Sequence, residues 1–300
     1  MSKQNTLLVG GVDGGGTTFK CCISTPEGEI LRSERFVTAG PEDTIDACAD
    51  FFARCAASGQ PAQAIGIACF GPIEIDPQSA NYGSILNTPK LGWSGFNVRD
   101  ELALRTGMPV RVDTDVNGAL AAEMAWGAAR EARSAVYVTV GTGIGAGIYA
   151  NGDFLGRPTH PEFGHIRVTR HRDDIYPGAC SFHGDCLEGL TSARAVEARF
   201  GPPELMAADH PGWDIVACYL AQACISLTLT VRPEKIVLGG GLLLAPGLID
   251  RIHEQYTAMM NGYLDLPDSA AAQFIVLPGL GDNAGLLGGA QLALKSVAGQ

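Results

Sequence analysis

Residues 6–24 read TLLVGGVDGGGTTFKCCIS: an apolar run over 6–12, a break at Asp13-Gly14-Gly15-Gly16-Thr17-Thr18, and a second run over 19–24. Strand, glycine turn, strand is what this pattern predicts. The same shape returns at mid-chain, where residues 135–140 break at Gly141-Thr142-Gly143-Ile144-Gly145 and resume over 146–150. Two hairpins of one design predict two related halves.

The rest of the chain alternates strand and helix patterns around these hairpins. Residues 41–58 have helical spacing, with Ile45, Cys48, Ala49, Phe52 and Cys55 on one face. Strands are expected over 64–70, 108–112, 235–238 and 274–278. Helices are expected over 98–105, 118–127, 191–200 and 213–231, from Pro246 to 260, and over 284–297. In the last of these, Gly285, Gly288 and Gly289 permit close helix contact. Such alternation predicts an α/β chain.

Composition narrows the function classes. With 300 residues, 46% hydrophobic and 18% charged, the chain is long enough for two globular domains. A net charge of −11 without a basic run argues against nucleic acid or an anionic membrane as partner and favours a small molecule. The N-terminus enters a strand pattern directly, without a leader pattern, so a cytoplasmic location is expected. Seven of the nine cysteines (Cys21, Cys22, Cys48, Cys55, Cys69, Cys218, Cys224) sit in apolar context and are expected to be reduced core residues.

Both glycine turns can aim backbone N–H groups at an anion, which makes them candidate phosphate cradles. No Gly-Lys pair and no Gly-x-Gly-x-x-Gly stretch occurs, so neither a Walker A loop nor a Rossmann site has an anchor. Asp13 at the mouth of the first loop would repel a polyphosphate unless Mg²⁺ sits between them, so Asp13 implies that metal. On Arg111-Val112-Asp113-Thr114-Asp115, an extended chain would place both aspartates on one face, and either could be a general base.

Residues 159–191, THPEFGHIRVTRHRDDIYPGACSFHGDCLEGLT, concentrate His160, His165, His171 and His183 with Cys180 and Cys186. Cys180, His183 and Cys186 follow at two-residue gaps, and His165 can close a fourth position. Thiolate and imidazole ligands at this spacing predict a tetrahedral zinc site, and four protein ligands leave no open position, so the zinc would be structural. Glu162 and Glu188 stand beside the ligands and are candidates for recognition.

Taken together, Val12-Asp13-Gly14-Gly15-Gly16-Thr17, Asp115-Val116-Asn117-Gly118, Val140-Gly141-Thr142-Gly143-Ile144-Gly145, Glu162-Phe163-Gly164-His165, the Cys/His cluster and Gly239-Gly240-Gly241 resemble the ROK-family sugar kinases in content and order. The resemblance covers nearly the whole chain. It implies a two-lobed α/β fold of the actin, hexokinase and ribonuclease H-like ATPase kind, with nucleotide and sugar in the cleft between lobes. The expected division is 1–118 as N-terminal lobe, 119–283 as C-terminal lobe, and 284–300 as a closing helix returning to the first lobe.

The resemblance also implies roles. Asp115 becomes the base toward a sugar hydroxyl; Thr88, Asn117, Glu162, His165 and Glu188 become sugar contacts, with His165 also on zinc. Gly14, Gly15, Gly16, Thr17, Gly141, Thr142 and Gly143 become phosphate loops, and Gly239, Gly240 and Gly241 part of the adenosine site. ATP, Mg²⁺ and structural Zn²⁺ are the expected cofactors, and a homodimer is the expected assembly. Thr88-Pro89-Lys90, Thr114-Asp115 and Cys180-x-x-His183-x-x-Cys186 stand where glucokinase-like members carry Thr-Pro-Asn, Asn-Asp and Cys-x-Cys-Gly-x-x-Gly-Cys, and they match the fructokinase branch. ATP-dependent phosphorylation of D-fructose to fructose 6-phosphate is therefore the expected activity, with mannose or another hexose as the alternative substrate. A non-catalytic sugar-sensing regulator is disfavoured, because a DNA-binding version needs a helix-turn-helix ahead of the first strand and only residues 1–5 precede it.

Overall fold

The computed structural model describes residues 7–88, 90–264 and 270–298. Thr6 of the opening run and Pro89 of the Thr-Pro-Lys motif lie outside these. The chain forms two compact units: one comprises the residues up to Arg130, Gly156–His160 and those from Asp282 onward, the other Glu131–Leu155 and Pro161–Gly281.

In the first unit, β1 (Val9–Gly14), β2 (Thr18–Ser24), β3 (Ile30–Val37), β4 (Ile65–Cys69) and β5 (Val110–Thr114) form one sheet in the order β3-β2-β1-β4-β5. β2 is antiparallel to β1 and β3, while β4 and β5 run parallel to β1. Its helices are α1 (Pro41–Ala57), α2 (Val98–Thr106) and α3 (Asp115–Trp126), completed by the last helix of the chain. The second unit repeats the plan: β6 (Ala135–Val140), β7 (Ile144–Ala150), β8 (Asp153–Phe154), β9 (Lys235–Gly239) and β10 (Ile275–Val276) form a sheet in the order β10-β9-β6-β7-β8. Around it lie α4 (Leu187–Thr191), α5 (Ala193–Phe200), α6 (Gly212–Thr230), α7 (Leu248–Met260) and α8 (Ala270–Phe274). Each unit thus opens on an antiparallel hairpin whose first strand also pairs in parallel with a later one. The two related halves expected from the twin glycine turns correspond to this shared topology.

Side-chain alternation explains why the first sheet is covered on both faces. Val12, Cys21, Ile23, Ile65 and Ile67 pack with Ile45, Cys48, Phe52 and Cys55 of α1. Val9 and Cys22, of opposite parity, pack with Leu286, Ala290 and Ala293 of α9 (Ala284–Ala298). On that second face the strands carry glycine where α9 crosses them. A Cβ on Gly66 would stand 2.1 Å from the Gly289 carbonyl oxygen, and one on Gly288 would stand 2.3 Å from the Gly118 carbonyl carbon. Backbone meets backbone here, which fixes α9 against β1, β4 and α3. Gly66→Ala is expected to destabilise the protein by about 1–3 kcal/mol, as overpacking of a rigid contact does, read as a lowered midpoint in urea with unchanged slope.

In the second unit, α6 has the length and composition of a membrane span, but 67% of that span is buried. Trp213, Val216, Tyr219, Leu220 and Leu227 join Val136, Val138, Ile236 and Leu238 of the sheet in one core, so it is a core helix, apolar over most of its surface because most of its surface is buried.

Several elements depart from expectation for local reasons. β3 is an edge strand with Arg32, Ser33, Glu34 and Arg35 exposed, and these charges hide its alternation. The helix expected over 118–127 begins at Asp115, because the Thr114 hydroxyl accepts from Asn117 N at 3.2 Å and caps it. Asp113 and Asp115 therefore do not share the face of an extended segment, which corrects that expectation. The helix expected over 191–200 is α5, capped by Ser192, while Thr191 instead ends the short α4 before it. α7 starts at Leu248, after Gly247 at φ +74°, rather than at Pro246. The strand expected over 274–278 is only Ile275–Val276, preceded by a turn of alanine-rich helix. With α3 whole, the first unit runs on to Arg130, beyond the boundary expected at 118.

Candidate active site

Two acidic residues of the first unit, Asp13 and Asp115, stand at the C-terminal ends of its parallel strands, where open α/β sheets place their sites. Asp13 is the penultimate residue of β1, and Asp115 opens α3 directly after β5. Lys20 pairs across the hairpin with Asp13, and its ammonium lies 3.5 Å from the carboxylate and donates to the Asp282 carbonyl at 3.2 Å. Burial raises the Asp13 pKa against the lowering pull of Lys20 and Arg35. The close crossing of α9 brings Gly285 here, where a Cβ would stand 2.9 Å from the Asp13 carboxyl.

Asp115 accepts from Val116 N at 2.9 Å. Burial, reinforced by the charge of Asp13, pushes its carboxyl up to about 6. That is the range of a general base working near neutrality. Asp113 is differently employed. At 2% exposure it accepts from Thr114 N and Asn117 Nδ2, each at 2.8 Å, and its other oxygen pairs with the Arg157 guanidinium. A carboxylate so occupied is a structural anchor, leaving Asp115 as the candidate base. Asn117 is buried with its amide committed to Asp113, while its Oδ1 has no partner among the described residues. Thr88 N–H donates to Ser94 Oγ at 3.1 Å, and the Thr88 hydroxyl accepts from Lys90 N at 3.4 Å.

The second unit builds its site on the other hairpin. Gly141 N donates to the Gly143 carbonyl at 2.9 Å, closing the turn with Thr142 exposed at its tip. Gly240, at φ +92°, packs so tightly on β6 that a Cβ on it would stand 2.4 Å from the Val140 carbonyl oxygen, so Gly239, Gly240 and Gly241 lie beside the strand that enters the turn. The ligand atoms of His165, Cys180, His183 and Cys186 all lie within 4.8 Å of one another. His165 Nδ1 is 3.7 Å from Cys180 Sγ and 3.5 Å from Cys186 Sγ, and His183 Nδ1 is 3.7 Å from Cys180 Sγ. Ligands at ordinary Zn–S and Zn–N lengths in a tetrahedron stand about 3.6 Å apart. The four residues therefore fit the ion, with His165 presenting Nδ1 and keeping Nε2 for another partner.

Glu188, in the first turn of α4, accepts from Ile144 N at 3.0 Å. Ala193 N donates to the Gly141 carbonyl at 2.7 Å. The helices that follow Cys186 thus hold both ends of the second glycine turn, a connection that the sequence does not reveal. Glu162 is exposed and immediately precedes the 3₁₀ turn Phe163–His165, and Gly164 of that turn lies so near Ile144 that a Cβ would reach its carbonyl oxygen at 2.1 Å. Lys20 and Arg157 are members of these sites that the sequence patterns do not single out, and Lys90 and Gly285, named there only within a motif and for helix packing, gain a place beside the site. Lys20 does carry a sequence signal, since pairing the hairpin across its glycine turn sets it opposite Asp13.

Comparison with known proteins places this geometry in context. The ROK family profile matches residues 9–296. A fructokinase of Lactococcus lactis subsp. cremoris is 40% identical over 280 residues, covering 93% of each chain. A fructokinase of Zymomonas mobilis is 38% identical over 299 residues, covering 98% of this chain and 99% of its own. Among solved structures, a ROK family glucokinase from Streptomyces griseus in complex with glucose and AMPPNP superposes with a TM-score of 0.75 at 26% identity, over 96% of this chain and 99% of that one.

Proposed function

We propose that this chain, which belongs to the ROK family, is a sugar kinase that transfers the terminal phosphoryl group of ATP to D-fructose, giving D-fructose 6-phosphate. The observation that carries the reaction type is the Asp115 carboxyl, free of any cation partner among the described residues and poised near neutrality. Near full-length similarity to fructokinases supports the substrate.

In this reading the sugar hydroxyl attacks the terminal phosphorus in line. The new O–P bond forms as the bond to the ADP oxygen breaks, and Asp115 takes the hydroxyl proton. Glu162, Glu188 and the Nε2–H of His165 orient the sugar, and Thr88 contributes a further contact; Asn117 acts by holding Asp113 and the start of α3. Gly14–Thr17 and Gly141–Gly143 receive the phosphates, and Gly239, Gly240 and Gly241 the adenosine. Mg²⁺, when bound, neutralises phosphate charge; Asp13, with one oxygen beside Lys20 and the other without a partner among the described residues, would hold it. Zinc, when bound by His165, Cys180, His183 and Cys186, supplies loop rigidity and fixes the His165 tautomer.

The deciding experiment is ADP release measured over a panel of hexoses. Fructose is expected to give the highest kcat/KM. Faster turnover of mannose or glucose would reassign the substrate, and no ATP-dependent turnover of any hexose would remove the reading. Asp13→Ala is expected to shift the Mg²⁺ dependence of turnover to higher concentration with fructose KM unchanged. An unaltered Mg²⁺ profile would reduce Asp13 to a hairpin stabiliser paired with Lys20.

A further inference from the structure

The first glycine loop has every carbonyl spoken for. Gly14 O accepts from Phe70 N at 2.7 Å, Gly15 O from the Thr38 hydroxyl at 2.9 Å, Thr17 O from Thr38 N at 2.9 Å, and Thr18 O from Gly15 N at 3.0 Å. The remaining one, Gly16 O, accepts from the ammonium of Lys90. The N–H groups of Gly16 and Thr17 find no acceptor among the described residues, and both residues are exposed. Carbonyls turned inward and amides turned outward make a surface that attracts an anion.

Lys90 adds a full charge to it. Its ammonium stands 5.3 Å from the centroid of the Phe70 ring, which is itself braced edge-on by Trp93 at 5.3 Å. No carboxylate pairs with Lys90 among the described residues, although acids outnumber bases by 32 to 21 in the chain. A partly buried cation held on an aromatic face, at a loop of free amides and without a counter-ion, is a site for an anionic ligand. Thr88, whose hydroxyl accepts from Lys90 N at 3.4 Å, is a sugar contact in the kinase reading, so this cation belongs at the sugar end of the phosphates.

We propose that Lys90 binds the terminal, transferred phosphoryl group of the nucleoside triphosphate and stabilises the charge that spreads over its oxygens during transfer. The proposal rests on the kinase reading. Lys90 forms no bond and moves no proton; it acts as a preorganised charge beside the Gly16 and Thr17 amides.

The test uses Lys90→Met, which keeps the stem against Phe70 and removes the charge, with Lys90→Arg as the charge-keeping variant. Mg²⁺–AMPPNP and Mg²⁺–ADP affinities are measured by calorimetry, and turnover of ATP and fructose by ADP release. For Lys90→Met, AMPPNP binding is expected to weaken by about tenfold or more with ADP binding unchanged, and kcat to fall by about 10²- to 10³-fold with fructose KM little altered. Lys90→Arg is expected to recover most of the loss. Equal weakening of ADP and AMPPNP, or kcat within about threefold of wild type, would overturn the proposal and leave Lys90 a latch on Gly16. Lys90 is likewise no more than a latch if Lys90→Met melts far below wild type and Lys90→Arg restores stability without AMPPNP preference. Wild-type protein that turns over no hexose would defeat the kinase reading instead, while the AMPPNP-against-ADP comparison still decides the lysine.

Discussion

Asp115→Asn is expected to lower kcat by about 10²- to 10⁴-fold, the range for loss of a positioned general base, while fructose and ATP still bind. The asparagine keeps the shape and the hydrogen bond from Val116 N, so the loss isolates proton abstraction. The pH dependence follows from the same group. Burial raises the carboxyl from 3.8 to about 6, so it keeps its proton until the pH exceeds that value. As a base it works only when ionised, and wild-type kcat/KM is expected to fall about tenfold per unit as pH drops below 6. A raised carboxyl pKa also means that ionising Asp115 costs stability at pH 7, a cost that disappears once pH falls below 3.8. The asparagine variant should therefore melt no lower than wild type at neutral pH, which separates chemistry from misfolding. Turnover of the variant within about threefold of wild type would remove Asp115 from the role and return attention to Asp113.

The choice between those two aspartates shows where sequence reading stops. Their spacing was legible, and so was the strand before them. That the strand ends at Thr114 depends on its hydroxyl capping α3, and that Asp113 is occupied depends on Arg157, 44 residues away. Contacts of that range leave no periodic trace. The glycine hairpins were legible because turn and alternation are local, and the closing helix because Gly285, Gly288 and Gly289 advertise close packing. The site of that packing was not legible: it needs Gly11 and Gly66 on one face of two different strands. The Cys/His cluster lies between these cases. Three of its ligands fall within seven residues and announce themselves, but the attachment of the same segment to the second glycine turn, through Glu188 and Ile144, joins residues 44 apart.

That attachment changes what metal removal should do. From the sequence, zinc loss is expected to raise the sugar KM far more than the ATP KM, because the phosphate loops lie elsewhere in the chain. In the fold, Cys186 precedes α4 as its cap, α4 carries Glu188 onto Ile144 N, and Ser192 then turns the chain so that Ala193 N reaches the Gly141 carbonyl. One cysteine thus fixes the start of a helix on which both the proposed sugar contact and both ends of the proposed phosphate loop depend. Cys186→Ser, which replaces a thiolate by a poor neutral ligand, is expected to lose the zinc and to raise both KM values by about 10- to 100-fold. Loss of a structural zinc also removes folding energy, so a lower melting temperature should accompany it. Glu188→Gln is the partner experiment. It keeps all four metal ligands and an oxygen for Ile144 N, so zinc content and ATP KM should hold while fructose KM rises. The measurements are zinc by elemental analysis and both KM values for the three proteins. Protein that carries no zinc as purified would dismiss the metal. A Cys186→Ser variant that loses zinc, keeps its ATP KM and changes only toward fructose would mean that Glu188 and Ala193 hold the Gly141–Gly143 turn without help from the ion.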